Sequence, residues 1–79
     1  MQQIVISEKD KEELNKVIPN LEKILESNDL NELQIAIMIA IDKTLDKNEE
    51  ATAETIRLEK IYDRITYDTK IKILENKYN

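Results

Sequence analysis

The titratable side chains of this 79-residue chain are 17 Asp and Glu, 12 Lys and Arg and three Tyr, with no His and no Cys among them. Without His there is no Ser–His or Cys–His pair and no imidazole acid–base couple. The Glu-x-x-His element of a carboxylate di-iron bundle is absent for the same reason. Without Cys or His, neither a disulfide nor a zinc site can staple a domain of this size. The stretch Asp46-Lys47-Asn48-Glu49-Glu50 invites a calcium-loop reading, but Ala51 stands at the turn-glycine position and Arg57 at the bidentate glutamate position. A chain with no Gly also builds no glycine-rich phosphate loop. The expectation is a non-enzymatic protein with no catalytic residues, no metal and no cofactor.

Two constellations remain that suit recognition. On a helical wheel, Ile56, Tyr67, Ile71, Leu74 and Tyr78 share one side of the last third of the chain, with Arg57, Lys60 and Arg64 beside them. Tyr and Arg combine a large contact area with directional hydrogen bonds, so this side is the expected protein-binding face. The plainer reading is a solvated flank in which Arg stems shield apolar surface. The second constellation is acidic: Asp42, Asp46, Glu49, Glu50 and Glu54 gather about an expected helix-hairpin tip. Charge runs on turns are usually only solvated. The sharper reading is an acidic surface that docks on a basic groove of another protein.

The elements that must position these residues are helices. Gly is absent and Pro19 is the only proline, so tight turns fall to Asn and Asp. Ser7 can cap a first helix near 8–26, whose stripe Leu14, Val17, Ile18, Leu21 and Leu25 runs through Pro19, where a kink or a break and restart is expected. Asp29 with Glu32 resembles a capping box and starts a second helix near 29–47 with the stripe Leu30, Leu33, Ile37, Ile41 and Leu45. Ile35 and Ile39 point away from that stripe. Asn48 with Glu49-Glu50 signals a third helix near 49–77, whose inner face is Leu58, Ile61, Tyr62, Ile65 and Ile73. Short connections make the neighbours antiparallel, so the predicted fold is all-α, a small three-helix arrangement, monomeric or dimeric. The alternative is α+β with short strands near 3–6 and 65–73, because Ile65, Tyr67, Thr69, Ile71 and Ile73 alternate with more polar residues.

Formal net charge is -5. Residues 1–29 carry four Lys against seven acids, 30–50 two against five, and 51–79 six Lys and Arg against five. That balance argues against direct nucleic-acid binding, which needs a basic footprint. No stretch approaches the roughly 20 apolar residues of a membrane span, and the opening Met1-Gln2-Gln3-Ile4-Val5-Ile6 lacks a basic n-region, so a cytoplasmic single domain is expected. Thirteen Ile, ten Lys and seven Asn are residues that AT-rich codons supply, as in a low-GC bacterium or its mobile elements. Apolar faces in excess of one core imply a protein partner or a second copy. The leading expectation is a stoichiometric inhibitor, antitoxin or adaptor, ahead of a structural homodimer or a helical bacteriocin-immunity-type protein. No residue motif identifies a family.

Overall fold

The computed structural model describes residues 4–78, with side chains described through Glu75. It contains four α-helices: α1 (Glu8–Asn15), α2 (Leu21–Ser27), α3 (Leu30–Thr44) and α4 (Ala53–Tyr78). The all-α class stands, but the three-helix arrangement does not. The expected helix near 8–26 is two helices, because Pro19 has no N–H to donate, its ring crowds the carbonyl four residues back, and it disfavours helical geometry in the residue before it. Ile18 falls in the gap, its N–H still closing on the Leu14 carbonyl at 2.8 Å. The break resets the helical phase. Ile24, outside the expected stripe, is therefore buried, whereas Leu25 is only partly so.

The caps follow from side-chain chemistry. Ser7 Oγ accepts from the Asp10 N–H at 3.1 Å and starts α1. Asn28 ends α2 in the left-handed region at φ 57°, which Asn tolerates better than most residues. Its Oδ1 then accepts from the Ile4 N–H at 3.1 Å. Asp29 Oδ1 caps α3 by accepting from the Asn31 and Glu32 N–H groups. The return half of the expected capping box is missing, since the Asp29 N–H turns to Ser27 Oγ at 3.4 Å, while the Ser27 hydroxyl donates to the Ile24 carbonyl at 2.6 Å and lies 3.2 Å from the Glu32 carboxylate.

The last helix starts at Ala53 rather than near 49. Asp46 holds the intervening loop, its Oδ1 accepting from the N–H groups of Asn48 at 2.8 Å and Glu50 at 3.0 Å. The cap falls to Thr52, whose Oγ1 accepts from the Thr55 N–H while Thr55 Oγ1 accepts from the Thr52 N–H. Thr44 Oγ1 donates to the Ile41 carbonyl and lies 2.6 Å from Thr55 Oγ1. With the Thr44 proton so committed, Thr55 is the donor between them. Three threonines thus join the ends of α3 and α4. Glu49 sits in this loop at φ 60°, a conformation that costs a non-glycine L-residue about 1–2 kcal/mol. Glu49→Gly should raise stability by about 0.5–1 kcal/mol once the added freedom of the unfolded chain is subtracted. The urea midpoint reads this directly, and a lower midpoint would show that the Glu49 side chain holds the turn.

No strand forms among the described residues, and 65–73 lies inside α4. The alternation there coincides with a helical repeat, Ile61, Ile65 and Thr69, which is the part that is buried. Ile4–Ile6 forms a strap without regular secondary structure, tied by the Val5 N–H to Thr69 Oγ1 at 2.9 Å. α4 has 26 residues, about 39 Å of helix, and forms the spine of a molecule 48 Å long. α3 packs antiparallel on it, fixed by Gln34 Nε2 donating to Thr66 Oγ1. α1 also opposes it, since Asp10 meets Arg64 and Glu13 meets Arg57. The core contains Leu14, Ile18, Leu21, Ile24, Leu30, Leu33, Ile37, Ala40, Leu58, Ile61 and Ile65.

Candidate functional site

α4 buries the side that carries Leu58, Ile61, Ile65 and Thr69 and turns the opposite side outward. Ile56, Lys60, Tyr67, Ile71 and Leu74 are all exposed there, with Tyr67 the most open at 67%. Their spacings of three, four and seven residues set them on one helical face. The Tyr78 side chain lies outside the described part of the structure. Four large apolar side chains beside a lysine make a face suited to a partner, since burying each Leu or Ile is worth about 1.5–3 kcal/mol.

The two arginines of this segment sit at its edge, turned toward α1. Arg64 makes a two-pronged ion pair with Asp10, Nε to Oδ2 at 2.8 Å and Nη2 to Oδ1 at 2.7 Å. Asp10 is buried, 3% exposed, whereas half of the Arg64 side chain remains in water. The hydrogen bonds from Arg64 hold the Asp10 carboxyl below its ordinary range against the opposing push of burial, and they raise the Arg64 guanidinium in turn. Arg57 Nη1 stands 3.7 Å from Glu13 Oε2, a looser and largely solvated contact. Arg64 therefore anchors α1 as well as edging the exposed face. The sequence reading missed Asp10. Its signal was a carboxylate four residues before Leu14, in phase with the buried stripe.

The acidic residues do not converge. Asp42 is on α3, Asp46, Glu49 and Glu50 are in the loop, and Glu54 is in the first turn of α4, all exposed. Among the described residues no group of three or more carboxylates is placed to hold a metal ion. Asp46 is engaged with the loop backbone, which leaves its neighbours as the free acids of the tip.

A second apolar surface lies on α3. Ile35, Met38 and Ile39 are half exposed, and the sequence reading singled out only the two isoleucines. Beside them a groove of 360 Å³ runs between α3 and the Pro19 turn, with Val17, Pro19 and Ile24 across from Ile35, Ala36 and Ile39. Met38 faces the other way, toward Tyr62 and Asp63 of α4. Among the described residues no helix is long and apolar enough to cross a membrane. Comparison of the chain with protein-family models, curated proteins and solved structures finds no match.

Proposed function

We propose that this chain is a non-enzymatic protein-interaction module that binds one protein target stoichiometrically, as a small cytoplasmic inhibitor, antitoxin or adaptor does. The observation that carries this reading is the outer face of α4, where Ile56, Tyr67, Ile71 and Leu74 stay exposed although the core beneath is complete. Tyr67 is the natural anchor, with a wide ring that loses few rotamers on burial and a hydroxyl that can find a partner. Lys60 lies on the same face and Arg57 at its rim, where charges act on encounter rate and orientation more than on affinity. An acidic-tip reading has less behind it, because Asp46 stabilises its own loop.

The double variant Tyr67→Asp, Ile71→Asp should stay folded and helical with a urea stability within about 2 kcal/mol, because Tyr67 is largely in water and Ile71, 37% exposed, lies outside the core. It should lose the protein that the immobilised wild-type chain retains from extract of its source cells. Retention of the same protein by the variant would overturn the assignment of this face.

A further inference from the structure

We infer that the outer face of α3 is a self-association face, on which a second copy of this chain packs with its α3 antiparallel, about a two-fold axis. The inference goes beyond the reading of α4, since the two faces lie on different helices, with Glu59, Tyr62 and Asp63 of α4 beside Met38 between them. The dimer it describes would present two α4 faces outward, so one assembly could engage two targets, or two sites on one target, with the gain that linkage brings.

The argument starts from what borders the α3 groove. Ile35 and Ile39, 50% and 54% exposed, form a ridge along one edge. Ala36 and Ala40 follow each isoleucine by one position and line the groove itself, where their small side chains leave room. Glu32 stands near one end and Lys43 near the other, eleven residues apart, about 16 Å along the helix. Neither is in an ion pair among the described residues, and Glu32 meets only the Ser27 hydroxyl.

These positions complement themselves under a two-fold rotation. When a second α3 is turned end for end about a point between Ile37 and Met38, Ile39 comes opposite the partly exposed Ala36 of the second copy, and Ile35 comes over the turn of Ala40, whose own side chain is buried at 4% and offers a closed floor rather than a bulky obstacle. Glu32 comes opposite Lys43. Each match occurs twice, as an isologous interface requires. Large side chains then fill the space above small ones, which lets two helices approach to within the usual 8–10 Å. A parallel pairing would set Glu32 against Glu32 and Lys43 against Lys43, which electrostatics disfavours. Asp42 is absent from the groove lining and does not interrupt the pattern. An unrelated helix would need the same alternation of bulk and the same charges at its ends, and the chain already carries both. A contact along one helix of 15 residues buries on the order of 1,000 Å², the lower edge of specific interfaces, and fits a micromolar dimer.

Sedimentation velocity of the full chain from low micromolar to millimolar concentration tests this. The wild type should pass from monomer to dimer, and Ile39→Asp should weaken the dimer by at least about 100-fold at unchanged helicity, because the loss is counted twice across the two-fold. Glu32→Lys and Lys43→Glu should each weaken it when alone. Mixed in equal amounts, these two variants should recover a heterodimer, since one copy then carries two lysines opposite two glutamates of the other. A wild type that stays monomeric to millimolar concentration would overturn the proposal. A dimer that survives Ile39→Asp but is lost in Tyr67→Asp, Ile71→Asp would overturn it too, and would move self-association to α4. Failure of the mixture to associate would overturn the antiparallel two-fold arrangement. Target retention by a chain made monomeric with Ile39→Asp would leave the α4 reading standing, so the two proposals fail separately.

Discussion

Ile37→Asp is expected to unfold the domain, whereas Ile39→Asp, two residues along the same apolar run, leaves it folded. Ile37 is 1% exposed and packs in the middle of the core. Its replacement removes a buried aliphatic group worth about 1.5–3 kcal/mol and puts a carboxyl where it finds no partner, for a total of about 4–5 kcal/mol or more. A domain of this size holds about 4–12 kcal/mol in all, so most of its stability would go. Ile39 loses little on folding, and its replacement should change the urea midpoint only slightly. Circular dichroism with urea titration of both variants gives the answer. Equal loss of helicity would mean that the run from Leu33 to Ile41 is buried all round, and that no free α3 face exists.

Removal of Arg64 is the second large effect. Asp10 is the buried member of the pair and Arg64 the half-exposed one, so the two truncations are unequal. Arg64→Ala leaves a carboxylate without its partner in the interior and should cost about 2–3 kcal/mol at neutral pH, less than a fully buried pair because water reaches one side. Asp10→Asn keeps an acceptor for the guanidinium, frees Arg64 to turn to water, and should cost only about 1 kcal/mol. The pH dependence has a definite sign. The folded-state pKa of Asp10 is lowered, so the folded form binds fewer protons than the unfolded form. The stabilisation is present above the unfolded value of about 3.9 and is lost as pH falls through the folded value. In Arg64→Ala that lowering by the guanidinium is gone, and burial pushes the Asp10 carboxyl upward against the Ser7 hydrogen bond and the nearby Lys9, so the acid loss at this site shrinks. The gap between wild type and Arg64→Ala should therefore be widest near about pH 7 and shrink toward about pH 3. A gap that stays constant with pH would show that the Arg64 stem, rather than its charge, holds α1.

The outer side of α4 was legible because a helix repeats every 3.6 residues, and a stripe at Leu58, Ile61 and Ile65 leaves Ile56, Tyr67, Ile71 and Leu74 on the far side wherever the helix lies. Helix ends were less legible. Asn48 and Glu49-Glu50 read as a start, but the Asp46 carboxylate takes the N–H groups of Asn48 and Glu50 themselves, and such competition between local partners is decided by geometry rather than by residue type. Arg64 read as part of the exposed face because its partner is 54 positions away.

The sequence by itself determined the absence of thiol, imidazole and glycine-loop chemistry, the interruption at Pro19, and the two-sided character of the last helix, and it favoured the all-α class over an α+β alternative that the structure then removed. Each follows from residue type or from periodicity within one segment. Only the tertiary structure decided that the described residues form four helices, that Ile24 and Ala40 join the core, that Asp10 is buried against Arg64, and that Thr44, Thr52 and Thr55 close the hairpin. It also placed the Pro19 turn across from Ile35 and Ile39, where the α3 groove forms. These depend on which segments meet across long stretches of chain. Periodicity gives a helix its apolar side, but packing chooses which of its residues are covered.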